Sequence, residues 1–156
     1  MMIGELFHFN KQRTSERRFF RPVLESLESR EVPSSAQVSA AFDQLPADMN
    51  NLQASLAARP ANAATINTNI SAVANDLFTL NLGAAGFTVG DRLRIDSALI
   101  SDGITLIYDG YYNFAYIPTS QFESVVQLGA TALRAGISDF LLTSFYSSTS
   151  GDATLT

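Results

Sequence analysis

The chain contains no cysteine and no tryptophan among its 156 residues. The absence of cysteine excludes disulfide bonds, cysteine-ligated zinc, iron–sulfur clusters and cysteine nucleophiles. Histidine and lysine occur once each, as His8 and Lys11, so no side chain after residue 11 has an ordinary pKa near 7. Charged residues make up 16% of the chain and hydrophobic residues 46%, whereas the usual charged share is about 25%. This length and composition predict one globular domain with its own core.

The few charges are unevenly distributed. Residues 1–33 hold six basic and five acidic residues, whereas residues 34–156 hold four arginines against ten acidic residues, a net charge of −6. This excess opposes binding to nucleic acid, which depends on neutralising phosphates, and we expect no nucleic-acid partner. A membrane span needs about 20 nearly uncharged apolar residues. We expect no transmembrane span, because charged residues interrupt the most apolar windows, namely Asp109 in one and Glu123, Arg134 and Asp139 in the other.

Apolar positions alternate at intervals of three and four residues in four segments, which is the spacing of one buried helix face. The pattern predicts a mainly α fold, a small antiparallel bundle of about four helices near 35–57, 61–82, 88–114 and 119–146. The four stripes are Val38, Phe42, Leu45, Met49, Leu52, Leu56; Ala63, Ile66, Ile70, Val73, Leu77, Leu80; Leu93, Ser97, Ile100, Ile104, Ile107, Tyr111, Phe114; and Phe122, Val126, Gly129, Leu133, Gly136, Phe140.

Start and stop signals lie between the stripes. The serine after Pro33 predicts an N-cap, and Pro60 and Pro118 indicate the starts of new helices. Gly83 and Gly86 follow the second stripe and indicate the end of its helix. Two pairs resemble capping boxes, Thr88 with Asp91 and Ser120 with Glu123.

Two segments conflict with the helical pattern. Pro46 lies inside the first stripe, where it predicts a kink or a break after Leu45. Residues 104–117 are β-branched and aromatic around Asp109-Gly110, which would also suit a β-hairpin. We favour a helix there, because the three–four spacing continues from Leu93.

A short motif precedes the first stripe. In order along the chain it consists of Arg21, Pro22, Leu24, Glu25, Leu27, Glu28, Arg30, Val32, Pro33 and Ser34. This segment resembles the planctomycete N-terminal sorting segment of the LEPR-XLL type, in the variant that ends Val-Pro-Ser. The resemblance implies recognition by export machinery and a place in the cell envelope or outside the cell, with the cytoplasm as the alternative. It covers only residues 21–34 and implies nothing about the chemistry of the body.

The resulting organisation has three parts. Residues 1–33 form a flexible sorting-type segment, residues 34–146 form the helical bundle, and the Ser/Thr/Gly-rich residues 147–156 form a disordered tail.

Candidate chemistry is sparse, and we predict no catalytic, cofactor-binding or metal-binding residue. Asp91, Asp96, Asp102 and Asp109 recur along the third segment, but their spacing distributes them around a helix, and we interpret them as solvated. Serine nucleophiles lack a histidine or lysine base in the body, and phosphate-binding loops and dinucleotide-binding fingerprints are absent.

The aromatic cluster at 108–116 is the most distinctive local feature. We favour the interpretation that its rings cap the core at one end of the bundle; the alternative is an exposed partner surface of Tyr108, Tyr111, Tyr112 and Tyr116.

Gly129 and Gly136, seven residues apart, predict close approach of a neighbouring helix.

These observations predict an exported or cell-envelope protein that acts by binding a protein or envelope component, or by structural packing, without catalysis. A helical carrier for an apolar small molecule in the bundle core is the alternative. A carboxylate-dependent hydrolase is a remote third, since it would need two acidic side chains about 5–10 Å apart in a cleft.

Overall fold

The computed structural model describes residues 32–146 and 151–156, and within that part the chain forms a bundle of four α-helices. We name them α1 (Ser35–Ala57), α2 (Ala63–Gly83), α3 (Val89–Asn113) and α4 (Thr119–Tyr146). A single 3-10 turn, Ala84–Gly86, joins α2 to α3. The mainly helical bundle predicted from the sequence is confirmed, and the helix bounds differ from the predicted ones by at most two residues.

The segment with hairpin character is helical. Residues 104–113 belong to α3 without interruption, and only residues 114–118 leave the helix before α4 begins. The favoured helix is therefore confirmed and the β-hairpin at 104–117 does not form, because the α3 residues of this segment bury one face against α4.

Of the kink or break expected at Pro46, the break does not occur, since α1 continues through Pro46 for eleven further residues. Pro46 lies on the exposed side of the helix, with Leu45 and Met49 buried on the other side. A proline inside a helix costs about 3 kcal/mol, and fully burying one large apolar side chain returns about 1.5–3 kcal/mol. The buried residues on both sides of Pro46 outweigh that cost.

Side chains cap three of the helices, and the sequence signals predict two of these caps, those of α1 and α3. Ser34 caps α1 in a reciprocal box with Gln37, and Thr88 caps α3 through the backbone N–H of Asp91 at 3.3 Å. The cap of α2 is Asn62, which lies two residues after Pro60. Its side chain accepts hydrogen bonds from two backbone N–H groups of the first turn. The predicted box of Ser120 with Glu123 does not form, because α4 begins one residue before Ser120.

The core lies between the four helices and is largely aliphatic. The stripes predicted for α1 and α2 supply most of it, and those two predictions are confirmed. The largest fully buried side chains are Phe87, Leu45, Leu52, Leu56, Ile66, Leu80, Ile95, Leu99, Leu106, Val38, Val73 and Val125.

The stripe predicted for α3 is wrong by one residue. The buried face holds two glycines and two polar residues along with leucines, so hydropathy does not mark it. The predicted positions lie one residue further along the chain, and Ile104, Tyr111 and Phe114 among them are exposed. The buried positions are Ile95, Asp96, Leu99, Gly103, Leu106, Gly110 and Asn113.

Glycines let α3 and α4 pack with their backbones in close approach. A Cβ on Gly103 would lie 2.7 Å from the carbonyl oxygen of Gly129, and one on Gly136 would lie 2.8 Å from the carbonyl oxygen of Asp96. These pairings run in opposite directions, so the two helices are antiparallel. The close approach predicted for Gly129 and Gly136 is confirmed. We call this line of contacts, formed by Asp96, Gly103 and Gly110 with Gly129 and Gly136, the glycine seam.

Residues 151–156 are ordered against the bundle, so the prediction of a disordered tail is wrong for that part. Ala153 pairs with Phe87 in a parallel β-bridge, and its carbonyl accepts from the N–H of Thr88 at 2.8 Å. Ala153 and Leu155 also pack against the core. Residues 147–150 lie outside the described residues.

The sorting-type segment lies almost wholly outside the described residues, which begin at Val32. Ser34, the last residue of the resemblance, is also the N-cap of α1, so the motif ends where the folded domain begins.

Candidate functional site

Five aromatic rings are exposed at the end of α3 and in the turn that follows it. Their side chains are between 61% and 71% exposed, which contradicts the favoured interpretation that they cap the core. The physical reason is the one-residue rotation of α3, which buries the glycines and turns the rings outward. We call this set the aromatic surface: Tyr108, Tyr111, Tyr112, Phe114 and Tyr116.

The rings of the aromatic surface are held in place by neighbouring side chains. Tyr108 and Tyr112 stack on one another, with centroids 5.9 Å apart and planes at 17°. Phe122 of α4 meets Tyr111 and Phe114 edge to face, at 5.3 Å and 5.7 Å. Edge-to-face and offset-stacked pairs contribute beyond the area they bury, so the rings form a supported group.

A second set of contacts anchors the aromatic surface to the end of α1. The guanidinium of Arg59 lies over the ring of Tyr116, 4.2 Å from its centroid. The same guanidinium donates to the carbonyl of Leu56 at 2.8 Å and to Oδ1 of the buried Asn113 at 3.1 Å. A cation over a ring is worth about 0.5–1 kcal/mol at exposed sites. Arg59 therefore connects three elements of the bundle at this end.

Below the rings, the polar groups of α3 are paired. Nε2 of Gln53 donates to a carboxylate oxygen of Asp109 at 2.8 Å, and Nδ2 of Asn113 donates to the carbonyl oxygen of Asp109 at 2.9 Å. These bonds fix the last turns of α3 against α1. The aromatic surface thus stands on a rigid support, which lowers the ordering cost of binding a partner.

The other end of the α3–α4 hairpin exposes aliphatic and aromatic side chains of α4. They are Ile137, Phe140, Leu141, Leu142 and Phe145. Residues Thr119–Phe145 are long and apolar enough, by length and composition, to cross a membrane, since an 18-residue window within them has a mean hydropathy of 1.2. Glu123, Arg134 and Asp139 lie within that stretch, and the expectation of no span remains a prediction.

The four aspartates of the third segment have different surroundings. Asp109 pairs with Gln53 as described, while Asp102 is half-buried and its burial raises its pKa. Asp91 lies in the first turn of α3: its burial opposes ionisation, but the N–H of Leu155, the guanidinium of Arg94 and the hydroxyl of Thr88 together hold its pKa below the usual value. Asp96 is completely buried, so the interpretation of it as solvated is wrong.

Asp96 belongs to a cluster that no sequence pattern indicated. It faces Asp139 of α4, and Nη2 of Arg92 donates to Oδ1 of Asp139 at 2.9 Å. Burial, followed by the charge of Asp139 and the contact between the two carboxyl groups, raises the pKa of Asp96 to about 7; Arg92 opposes this shift. The seven-residue spacing of Asp96, Gly103 and Gly110 is the one sequence signal that places Asp96 on the buried face of α3, and it does not indicate the partner Asp139.

The cluster does not resemble a hydrolytic site. Hydrolytic carboxyl pairs flank a substrate in an open cleft. Asp96 has no exposed surface, and only Asp139 borders a groove, which Asn81, Thr131, Arg134 and Ser138 also line. Asp96 is thus closed to a substrate, and the two carboxyl groups do not flank a common cleft.

An apolar cleft lies between α2, α3 and α4 and has a volume of about 210 Å³. Leu77, Phe78, Leu99 and Leu128 line it. Ligand pockets typically enclose about 300–1,000 Å³. The volume of this cleft lies below that range.

The described residues contain no group of three or more His, Cys, Asp or Glu side chains that could hold a metal ion. No family model matches the chain, and no curated protein and no solved structure is similar to it.

Proposed function

We propose that this chain is an exported or cell-envelope protein that acts by binding, without catalysis, and that the aromatic surface is where it contacts a protein of the envelope. The observation that carries the proposal is the outward position of five neighbouring rings, each more than 60% exposed, in a domain with a separate, well-formed core. Folding alone gives no reason to keep so many large rings in contact with water.

The composition of the aromatic surface favours a protein partner. Tyrosine is enriched in the residues that dominate protein–protein binding, because it combines a large apolar face with a polar tip and few rotatable bonds. Four of the five rings are tyrosines. Support from Phe122 and Arg59 means that little conformational freedom is lost when a partner covers them.

The location rests on the sorting-type motif at residues 21–34 and is independent of the aromatic surface. The absence of catalysis is supported by the body's lack of histidine, lysine and cysteine and by the closure of Asp96. Nucleophilic side chains without a base are weak nucleophiles, so the abundant serines and threonines of the body supply no catalytic pair.

Removing two stacked rings is expected to abolish the interaction and leave the fold intact. In the full chain with Tyr108→Ser and Tyr112→Ser, we expect binding to an envelope fraction of the source cells to fall at least tenfold, because central rings of an interface contribute about 2 kcal/mol or more each. Cosedimentation at several protein concentrations measures the binding. The free energy of unfolding should change by less than about 1 kcal/mol, since both rings are exposed.

The matched control is Leu141→Ser, which removes an exposed apolar side chain at the other end of the α3–α4 hairpin. It should bind as wild type does. Protease treatment of the envelope fraction should remove binding; binding that survives it and is lost on removal of glycans would instead assign the surface to a glycan. Equal binding by wild type and the double variant would contradict the proposed surface, and a native chain confined to the cytoplasmic fraction would contradict the location.

A further inference from the structure

Two pairs of acidic side chains lie between helices of the bundle, one in each helix hairpin. In the α3–α4 hairpin Asp96 faces Asp139, and in the α1–α2 hairpin Asp76 faces Asp48. Asp96 has no exposed surface and Asp76 is 6% exposed. A buried carboxylate is costly unless it is paired with a cation or hydrogen-bonded, so both contacts require an explanation.

Several buried polar atoms of the first pair lack a hydrogen-bond partner among the described residues. Both carboxyl oxygens of Asp96 and Oδ2 of Asp139 are buried without a hydrogen-bond donor from the described residues. The hydroxyl of Thr143, one turn beyond Asp139, is also buried and unpaired. An ionised carboxylate only accepts hydrogen bonds. Two carboxyl groups therefore bond to each other only when one of them carries a proton.

The net charge of the buried cluster also favours one proton on the first pair. Arg92 is the one cation that acts on Asp96, and it is bound to Oδ1 of Asp139. With both carboxyl groups ionised the buried cluster has a net charge of −1; with one proton it is neutral. The backbone of α4 at Gly136 lies against the carbonyl of Asp96, which leaves little space for water to solvate a second charge.

The second pair repeats this arrangement. Oδ2 of Asp76 is buried without a donor, and the charged group that faces it is Asp48 of α1. Nε2 of Gln44 donates to Oδ1 of Asp48 at 3.3 Å, whereas Oδ2 of Asp76 has no donor among the described residues. A proton on Asp76 would supply a hydrogen bond between the two carboxyl groups.

We propose that each helix hairpin is closed by a proton shared between a buried carboxyl group and the carboxyl group that faces it from the neighbouring helix, so that the bundle is tighter in mild acid and looser by neutrality. Burial, with the neighbouring acidic group, raises the pKa of Asp76 to about 6, just as it raises the pKa of Asp96 to about 7. The body has neither histidine nor lysine, so its composition alone predicts no group that titrates near neutrality. The two buried aspartates supply such groups.

The direction of the pH response follows from proton linkage. A carboxyl group with a higher pKa in the folded state binds more protons when folded, so stability falls as pH rises from the ordinary value near 4 through the folded value. For Asp96 the decrease covers about pH 4 to pH 7, and for Asp76 about pH 4 to pH 6. Asp91 acts oppositely: its lowered pKa makes stability fall as pH drops below its ordinary value near 4. The most stable state is therefore mildly acidic.

The test is urea unfolding of the full chain, followed by far-ultraviolet circular dichroism, between pH 4.5 and pH 9. We expect the unfolding equilibrium constant of the wild type to increase by about three to four orders of magnitude across this range. Asp96→Asn keeps the shape and supplies a donor to Asp139 without a titrating proton. It should remove most of the increase and be more stable than the wild type at pH 8. Asp43→Asn, at an exposed acidic residue of α1, should keep the wild-type response.

A second measurement does not depend on the folding of any variant. Carbon-detected NMR of the side-chain carboxyl groups in the wild-type chain should show two aspartates that titrate near pH 6 and pH 7, whereas exposed aspartates titrate near 4. Stability that rises with pH, or carboxyl groups that all titrate below pH 5, would overturn the proposal. So would stability at pH 8 that depends on an added cation, since a bound metal ion would then take the place of the proton.

Discussion

Replacing Gly129 with leucine is expected to destabilise the protein by about 3 kcal/mol or more, the largest effect of any single substitution in α4. Even a Cβ at this position would lie 2.6 Å from the carbonyl oxygen of Gly103 and 2.9 Å from Leu106 and Ile107. The first of these atoms belongs to the backbone, so it cannot rotate away, and α3 and α4 must separate. Urea unfolding followed by circular dichroism measures the loss.

The matched control for this substitution is Gly90→Ala. Gly90 lies in the first turn of α3, and a Cβ there meets no atom within 4 Å. Alanine is the better helix former, so the free energy of unfolding should stay constant or rise by up to about 1 kcal/mol. If Gly129→Leu were as well tolerated as Gly90→Ala, the glycine seam would not be the contact between α3 and α4.

Replacing Arg92 with methionine is expected to lower the free energy of unfolding by about 3 kcal/mol at pH 8, because it leaves the largely buried Asp96–Asp139 pair without its cation. The side chains of Arg92 and Asp139 are 14% and 26% exposed, so solvent screens them poorly. The loss should be smaller at pH 5, where Asp96 is protonated and Asp139 has a hydrogen-bond donor. Unfolding curves of both proteins at the two pH values measure this difference.

Arg94→Met is the control for charge removal on the same helix. Arg94 binds Asp91 at the same distance of 2.9 Å, but its side chain is 60% exposed. Exposed ion pairs contribute about 0–1 kcal/mol, so this variant should change little. Equal losses from the two arginine variants would mean that burial of the Asp96–Asp139 cluster does not determine the energetics of the α3–α4 hairpin.

The sequence predicts α1 and α2 well because their buried positions are apolar. Val38, Leu45, Leu52, Ile66 and Val73 bury the face that the three–four spacing indicates. Two helix starts are also predicted from the sequence, since Ser34 and Thr88 bind the backbone N–H groups that an N-cap satisfies. Local chemistry and hydropathy indicate the same structure in this half of the bundle.

In α3 the hydropathy pattern and the packing of the backbone indicate different faces of the helix. Gly103 and Gly110 contribute nothing to hydropathy, yet their lack of side chains is what lets α4 approach. The apolar stripe one residue further on, with Ile104 and Tyr111, therefore attracts the prediction while remaining exposed. A hydropathy pattern identifies side chains that would gain from burial, whereas the seam is selected by how closely two backbones can pack.

The candidate sites were predictable only in part. The residues of the aromatic surface were identified from the sequence, but the favoured interpretation placed them in the core. The buried carboxyl pairs were not predictable, because Asp96 and Asp139 are 43 residues apart and each resembles a solvated residue when it is read alone. The order of residues 151–156 depends on backbone hydrogen bonds to Gly86 and Thr88, which leave no sequence pattern.

The most direct measurement of the central claim is residue-resolved hydroxyl-radical footprinting of the full chain, alone and with the envelope fraction. The account predicts that Tyr108 and Tyr112 are labelled rapidly in the free chain, that Leu99 and Leu106 are labelled slowly, and that the envelope fraction protects the two tyrosines. Tyrosines that are already protected in the free chain would contradict the outward position of the aromatic surface. Tyrosines labelled equally with and without the envelope fraction would contradict its role in binding.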